Sequence, residues 1–277
     1  MTHSDQRRAV RDFFSSDADA YDTRHYGSRY RTFFADRQNL IAQVLRDLSL
    51  PAGVRVLDIA CGPGHFLQEA ASAGAVAVGI DSSRDMLRTA GTRLGVRARL
   101  VRGNGMALPF ESRSFDIVNC SGLIEYIPEP MPLLQEVFRV LKTGGRALVS
   151  STNRLSPALI LDPLVDAAKR SALIRGAVRA IGLPIDPMSL RDRRFRMTFH
   201  TPRRLAAQLR EAGFESVRME YYHLQLLPHP LDRISPAAAA ACVKLTDRFL
   251  SVGPLRALAE GLLAIAQRPI SSATRST

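Results

Sequence analysis

Apolar positions along this chain follow two rhythms. Over the first 50 residues they recur at helical intervals, at Val10, Phe13 and Phe14 and then at Phe33, Phe34, Leu40, Ile41, Val44, Leu45 and Leu48. From Val54 onward short apolar runs alternate with helix-like stretches. Val54, Val56, Leu57 and Ile59 read as a strand covered on both faces. The run stops in a turn holding Gly62 and Gly64, and a helix is predicted over about 64–73. Further strands are predicted at 75–81, about 98–101, 115–120 and 146–151. A helix opens after 81 with Ser82 or Ser83 as its cap, and another covers 133–141, stopped by Gly144 and Gly145. Pro202 starts a helix over about 203–212, which Gly213 ends, and Val217, Met219 and Tyr221 alternate in a sixth strand at 214–222. Strands that alternate with helices predict an α/β domain around a parallel sheet. Pro157, Pro163, Pro184 and Pro187 break the pattern after the fifth strand, and a second proline-punctuated stretch runs over 228–254. Both read as helical insertions.

The first strand carries the densest chemical signal. Gly62 and Gly64 permit positive φ and let a ligand approach the backbone. The helix that follows aims its free N–H groups and the positive end of its dipole at the turn. Asp81 ends the second strand, 17 positions after Gly64, where an acid can accept hydrogen bonds from both hydroxyls of a ribose. Leu67 stands where a dinucleotide fingerprint has its third glycine, so a pyrophosphate is not expected.

Composition changes this picture little. The 277 residues suffice for one α/β domain with additions, and 46% hydrophobic content supplies its core. The formal charge of +12 raises nucleic acid as a partner. It comes almost wholly from arginine, since Lys142, Lys169 and Lys244 are the only lysines. Acids such as Asp12, Asp17, Asp19 and Asp22 are interspersed, and the one cluster is Arg191, Arg193, Arg194, Arg196, Arg203 and Arg204. Nucleic acid is therefore not the expected partner, while contact of that cluster with an anionic membrane surface stays open. Three widely spaced cysteines, Cys61, Cys120 and Cys242, suit a reducing cytoplasm. No run of about eighteen apolar residues predicts a spanning helix, and the N-terminus lacks the apolar segment of a secretory signal.

Asp58-Ile59-Ala60-Cys61-Gly62-Pro63-Gly64 resembles the first motif of the class I S-adenosylmethionine-dependent methyltransferases. Three further stretches resemble the same family, in its ubiquinone/menaquinone branch. Gly103-Asn104-Gly105-Met106-Ala107-Leu108-Pro109-Phe110 is similar to G-D-A-x-x-L-P-F, with Asn104 in the place of the acid. Leu123-Ile124-Glu125-Tyr126-Ile127-Pro128-Glu129-Pro130 is similar to L-E-H-I-P-D-P, which lines the reaction face. Arg139-Val140-Leu141-Lys142-Thr143-Gly144-Gly145 is similar to R-V-L-K-P-G-G. Ala20-Tyr21-Asp22 resembles the family's N-terminal lid, whose aromatic folds over the cofactor, and residues 262–269 resemble its last strand.

The resemblance implies a Rossmann-like doubly wound sheet of seven strands, the last antiparallel. It implies a helical lid over residues 1–50 and a methyltransferase domain over 51–277, with insertions at about 154–198 and 228–260. S-adenosylmethionine is the implied cofactor. Its implied contacts are Tyr21, Asp58, Ala60, Cys61, Gly62, Gly64, Asp81, Ser82, Met86, Asn104, Gly105, Met106 and Ser121, with Met86 and Asn104 at the adenine. The insertions and lid would form an apolar roof for a bulky small-molecule acceptor such as a polyketide, quinone, glycosylated or lipid-like metabolite.

Methyl transfer to oxygen is the leading expectation, ahead of transfer to carbon. An RNA methyltransferase and a non-catalytic membrane- or partner-binding module are the rivals. Candidate bases are His200, Glu125 and Tyr126, with His223 and His229 behind them. No metal is expected, because 122–126 keeps one acid of an E-x-x-E-H metal motif and lacks its other acid and its histidine. Cys120 in Asn119-Cys120-Ser121-Gly122 lacks the proline of the RNA cytosine-methylating P-C-S-G motif and reads as a small buried strand residue.

Overall fold

The computed structural model describes residues 2–26, 33–48, 51–161, 195–224 and 255–270, together with a few isolated positions between 167 and 253. Seven strands form one sheet: β1 Arg55–Ile59, β2 Val76–Asp81, β3 Ala98–Arg102, β4 Phe115–Ser121, β5 Leu141–Thr152, β6 Glu215–Tyr222 and β7 Gly261–Gln267. Their order is β3-β2-β1-β4-β5-β7-β6. The first five run parallel, and β7 inserts antiparallel between β5 and β6. This is the expected Rossmann-like doubly wound sheet with its reversed strand. Chain direction changes sides between β1 and β4, the place where open α/β sheets leave a crevice at their carboxyl edge.

Each element follows from its residues. Leu57, Val118 and Leu148 are fully buried in the central strands, which explains their near-continuous apolar runs. Helices α3 His65–Ser72, α4 Arg84–Leu94, α5 Met131–Val140 and α6 Pro202–Glu211 cover the sheet. Ser83 caps α4 by accepting from the Met86 N–H at 3.2 Å, and Thr201 caps α6 by accepting from the Arg204 N–H at 3.2 Å. Two N-terminal helices, α1 His3–His25 and α2 Phe33–Asp47, lie beside this layer. The apolar stripe of α2, Ile41, Val44 and Leu45, joins the core cluster that contains Val56, Leu67 and Leu148.

One boundary differs from expectation. The stretch from Leu141 to Gly145 reads as a helix stop in the sequence but already belongs to β5. Its register against β4 shifts between Phe115 and Ile117. A Cβ at Gly145 would lie 2.9 Å from the Lys142 carbonyl and 3.0 Å from that of Asp116. The glycine thus serves close strand approach at a bulge, with no role as a cap. The insertions expected at 154–198 and 228–260 fall mostly outside the described residues. Among the described residues no helix is long and apolar enough to cross a membrane.

Candidate active site

A cavity opens beyond the carboxyl ends of β1, β2 and β4, under α1 and α2. It encloses about 930 Å³ of empty space, part of it open to solvent. Its floor is the turn after β1, where three residues take positive φ: Ala60 at 57°, Gly62 at 50° and Gly64 at 84°. The two glycines serve different needs. A Cβ at Gly62 would meet nothing within 4 Å, so its absence leaves free space beside the backbone. A Cβ at Gly64 would meet Leu94 Cδ1 at 2.8 Å and Ala90 Cβ at 3.3 Å. Gly64 therefore seats α3 against α4 and does not line the cavity.

Two buried carboxylates stand on this floor. Asp81 accepts from the Gly62 N–H at 2.9 Å through Oδ2 and from the Ser83 N–H at 2.8 Å through Oδ1. Burial raises its pKa, and the backbone donors of Ser83, Gly62 and Ser82 oppose that rise. Each oxygen keeps a further acceptor site for a hydroxyl. Asp58 accepts from Asn119 Nδ2 at 2.7 Å, and the Asn119 amide oxygen accepts from the Ser121 hydroxyl at 2.7 Å. Burial pushes the Asp58 carboxyl up to about 7, the Asn119 hydrogen bond opposes this, and the Asp81 charge adds to it.

The wall and roof are aromatic. Phe14 stands edge-on to Tyr126 with centroids 5.4 Å apart, Tyr21 packs against Phe34 at 6.0 Å, and Tyr26 lies 3.8 Å from His65. Met86, 2% exposed, packs with Ala18 and Tyr21 of α1. Burial pulls the His65 pKa down to about 4, and the Arg37 charge adds to that fall. At the far side Glu125 is buried, with Oε2 accepting from the Thr152 N–H at 2.9 Å. Burial raises its pKa, and the Thr152 hydrogen bond and the Arg37 charge oppose the rise.

The sequence-predicted residues therefore divide. Tyr21, Asp58, Ala60, Cys61, Gly62, Asp81, Ser82, Met86, Ser121, Glu125 and Tyr126 line one cavity. Asn104, Gly105 and Met106 do not. Asn104 is exposed, and its side-chain oxygen accepts from the Met106 N–H at 3.1 Å, capping its own turn. A Cβ at Gly105 would lie 2.7 Å from Ile59 Cγ2, so that glycine answers to packing. His200 is also elsewhere. It is fully buried, with Nδ1 3.0 Å from the Ser151 hydroxyl. Burial pulls its pKa down to about 4, which keeps it neutral. Enclosed there and not among the residues lining the cavity, it is not supported as the base by the described residues.

The cavity also holds residues that the motif reading passed over, including Phe14, Phe34, Arg37, Gln38, His65 and Asn119. Arg37 had a sequence signal. With Ile41, Val44, Leu45 and Leu48 it falls at i, i+4, i+7, i+8 and i+11, so a charge sits on an apolar helix face. Among the described residues no group of three or more His, Cys, Asp or Glu side chains is placed to hold a metal ion.

Comparison with known proteins places this geometry. Residues 56–145 match the family model described as a methyltransferase domain. An uncharacterized methyltransferase of Mycobacterium tuberculosis is 36% identical over 144 residues, covering 50% of this chain and 55% of that protein. The demethylmenaquinone methyltransferase of Lactococcus lactis is 31% identical over 162 residues, covering 55% of this chain and 62% of that protein. The chain thus spans little more than half the length of these relatives. Among solved structures, a Thermotoga maritima S-adenosylmethionine-dependent methyltransferase, described as a possible histamine N-methyltransferase, superposes with a TM-score of 0.59. It is 19% identical, with 93% of this chain and 99% of that one covered, so the likeness is one of fold. Residues 56–145 thus match a methyltransferase domain, and the described sheet shares its fold with a solved S-adenosylmethionine-dependent methyltransferase.

Proposed function

We propose that this protein transfers a methyl group from S-adenosylmethionine to a partly apolar small molecule, with oxygen as the acceptor atom. The observation that carries this reading is one cavity holding Gly62, Asp81 and Met86 together with Glu125 and Tyr126. The first three fit an adenosine. Asp81 has free acceptor sites for a ribose diol, Gly62 leaves its backbone open, and Met86 offers a polarizable apolar surface. Bound S-adenosylmethionine supplies an electrophilic methyl group on a sulfonium.

The chain's own work is then to orient, to exclude water and to accept a proton. The aromatic wall of Phe14, Tyr21, Phe34 and Tyr126 excludes water and fits a flat or greasy acceptor. Glu125 has one oxygen held by Thr152 and the other free of any hydrogen bond among the described residues, which suits it to take a hydroxyl proton. The similarity to the lactococcal demethylmenaquinone methyltransferase favours a quinone-like ring as the second reading of the acceptor.

Two variants test the proposal. Asp81→Ala should weaken binding of S-adenosylhomocysteine by about tenfold to a hundredfold in calorimetry, while an unchanged Kd would remove the cofactor assignment. Glu125→Gln should lower kcat about a hundredfold or more in a labelled-methyl assay against an acceptor found by metabolite screening. Turnover equal to wild type in that variant would remove Glu125 as the base.

A further inference from the structure

The carboxyl edge of the sheet carries a second surface, beside the cavity and outside it. Three stretches build it: 153–161 after β5, 195–204 at the start of α6, and 255–259 before β7. Buried hydrogen bonds hold them together. Asn153, fully buried, donates from Nδ2 to the carbonyls of Ala257 at 2.8 Å and Ala259 at 2.7 Å. The Arg154 N–H donates to the His200 carbonyl at 2.9 Å, which joins the first stretch to the second. The Thr198 N–H donates to the Glu125 carbonyl at 2.7 Å, and Phe195 packs against Tyr126 with centroids 5.5 Å apart. The surface therefore reaches the wall of the cavity, which Glu125 and Tyr126 line.

What these stretches expose has one chemical character. In the helical turn over 157–161 Leu159 is buried, while Ile160 and Leu161 are 62% and 45% exposed. Leu155 and Leu258 are exposed as well, at 43% and 39%. Arg154, Arg196, Arg203, Arg204 and Arg256 are exposed in the same stretches, and among the described residues none of them has an ion-pair partner. These stretches expose no acid, and Glu260, which follows the third, is buried. Large aliphatic side chains held in water among uncompensated guanidinium groups mark an interaction site. A bilayer satisfies both at once, because the aliphatics enter the acyl boundary while the guanidinium groups meet anionic headgroups. A nucleic acid would answer to the arginines alone. A second copy of the chain, related by a two-fold axis, would set the same arginines against each other.

We infer that this surface docks on an anionic lipid bilayer, with Ile160 and Leu161 in the acyl boundary and Arg203 and Arg204 on the headgroups. The docking goes beyond the proposed reaction and needs no bound cofactor. The formal charge of +12 supplies long-range attraction to such a membrane, and the aliphatic side chains make the contact local. Its consequence for the reaction does rest on the proposed function. Phe195 and Tyr126 connect the docked surface with the cavity, so a partly apolar acceptor dissolved in the bilayer is presented on the Glu125 side.

Sedimentation with lipid vesicles tests the inference without any ligand. The wild type should partition onto vesicles of phosphatidylcholine mixed with phosphatidylglycerol about tenfold or more above its partitioning onto phosphatidylcholine alone. Ile160→Ser with Leu161→Ser should lower that binding about tenfold or more, and so should Arg203→Gln with Arg204→Gln. Arg99→Gln with Arg102→Gln removes the same charge from β3, the far edge strand, and should change it by about twofold at most. Absence of wild-type binding overturns the inference, and so does equal binding to both kinds of vesicle. An equal loss in the β3 pair overturns it too, since net charge alone would then explain the binding. Loss in the Arg203 and Arg204 pair with none in the Ile160 and Leu161 pair also overturns it, and is the result that a nucleic-acid surface would give. A dimer in light scattering that Ile160→Ser with Leu161→Ser takes apart would assign the surface to a second copy instead. Should the double serine variant not fold, Ile160→Ser alone carries the comparison at the more exposed position. None of these outcomes touches the cofactor reading, which the calorimetry with S-adenosylhomocysteine decides.

Discussion

Asp58 carries the chemistry of the site at the scale of a single residue. Its carboxyl is raised to about 7, so under the proposed function a proton and the donor's ammonium would compete for it near neutrality. Folding favours the neutral form, because the folded value lies above the ordinary one of 3.8. Its stabilising contribution is complete below about 3.8 and is lost as pH rises through about 7. A bound ammonium reverses that preference by favouring the ionised carboxylate. Affinity for S-adenosylhomocysteine should therefore rise with pH, by up to about tenfold per unit below 7, and level off above it. Calorimetry between pH 5.5 and 8.5 reads this directly, and Asp58→Asn should flatten the profile. A flat profile in the wild type would remove Asp58 from the ligand. Asp58, Gly62 and Asp81 were legible in the sequence because strand ends and glycine turns place them with little dependence on the rest of the chain. Arg37 was less legible, since burial on α2 becomes visible only once that helix is packed. His200 misled because a lone histidine near a predicted site carries no sign of being enclosed, and packing around Ser151 encloses it.

Element by element, the sheet was readable and the lid only partly so. Buried parallel strands write themselves as apolar runs, and caps such as Ser83 and Thr201 announce their helices. The long-range bonds that hold α1 have no such local signature. Gln6, 3% exposed, donates from Nε2 to the carbonyls of Tyr126 at 3.1 Å and Arg196 at 2.6 Å. Its amide oxygen accepts from the Arg196 N–H at 2.9 Å. Ser15 meets the α4 cap Ser83 across 2.8 Å. One glutamine thus ties the start of α1 to the loop after β4 and to the segment that precedes α6. Replacing it by alanine leaves those buried backbone groups without partners, at a cost of about 1–3 kcal/mol. Gln6→Ala should speed amide hydrogen exchange across residues 3–25 by roughly tenfold or more while leaving β1 and β4 as protected as before. Unchanged exchange in α1 would show that Ser15 and the aromatic contacts hold the helix by themselves.

Taken as a whole molecule, the fold uses one cavity to connect parts that are far apart in sequence. The sheet contributes Asp58, Asp81, Asn119 and Ser121, α1 contributes Phe14 and Tyr21, and α2 contributes Phe34 and Arg37. A ligand that touches all three must stabilise them together, because binding to the folded form alone shifts the unfolding equilibrium by mass action. At a hundred times its Kd, S-adenosylhomocysteine adds about 2.7 kcal/mol. For a chain of this size that corresponds to a rise in Tm of roughly 5–10 °C. 5′-Methylthioadenosine at the same multiple of its own Kd should raise Tm as much. Arg7, Arg8 and Arg11 are trypsin sites on α1, and their cleavage requires the helix to open locally. Both ligands would set an adenosine beside Met86, which packs with Tyr21 of α1. Each ligand should therefore slow tryptic cutting within residues 1–26 several-fold relative to the free protein at matched saturation. Unchanged cutting with either ligand would mean that the N-terminal helices close over the sheet independently of the adenosine, without the help of Met86 and Tyr21.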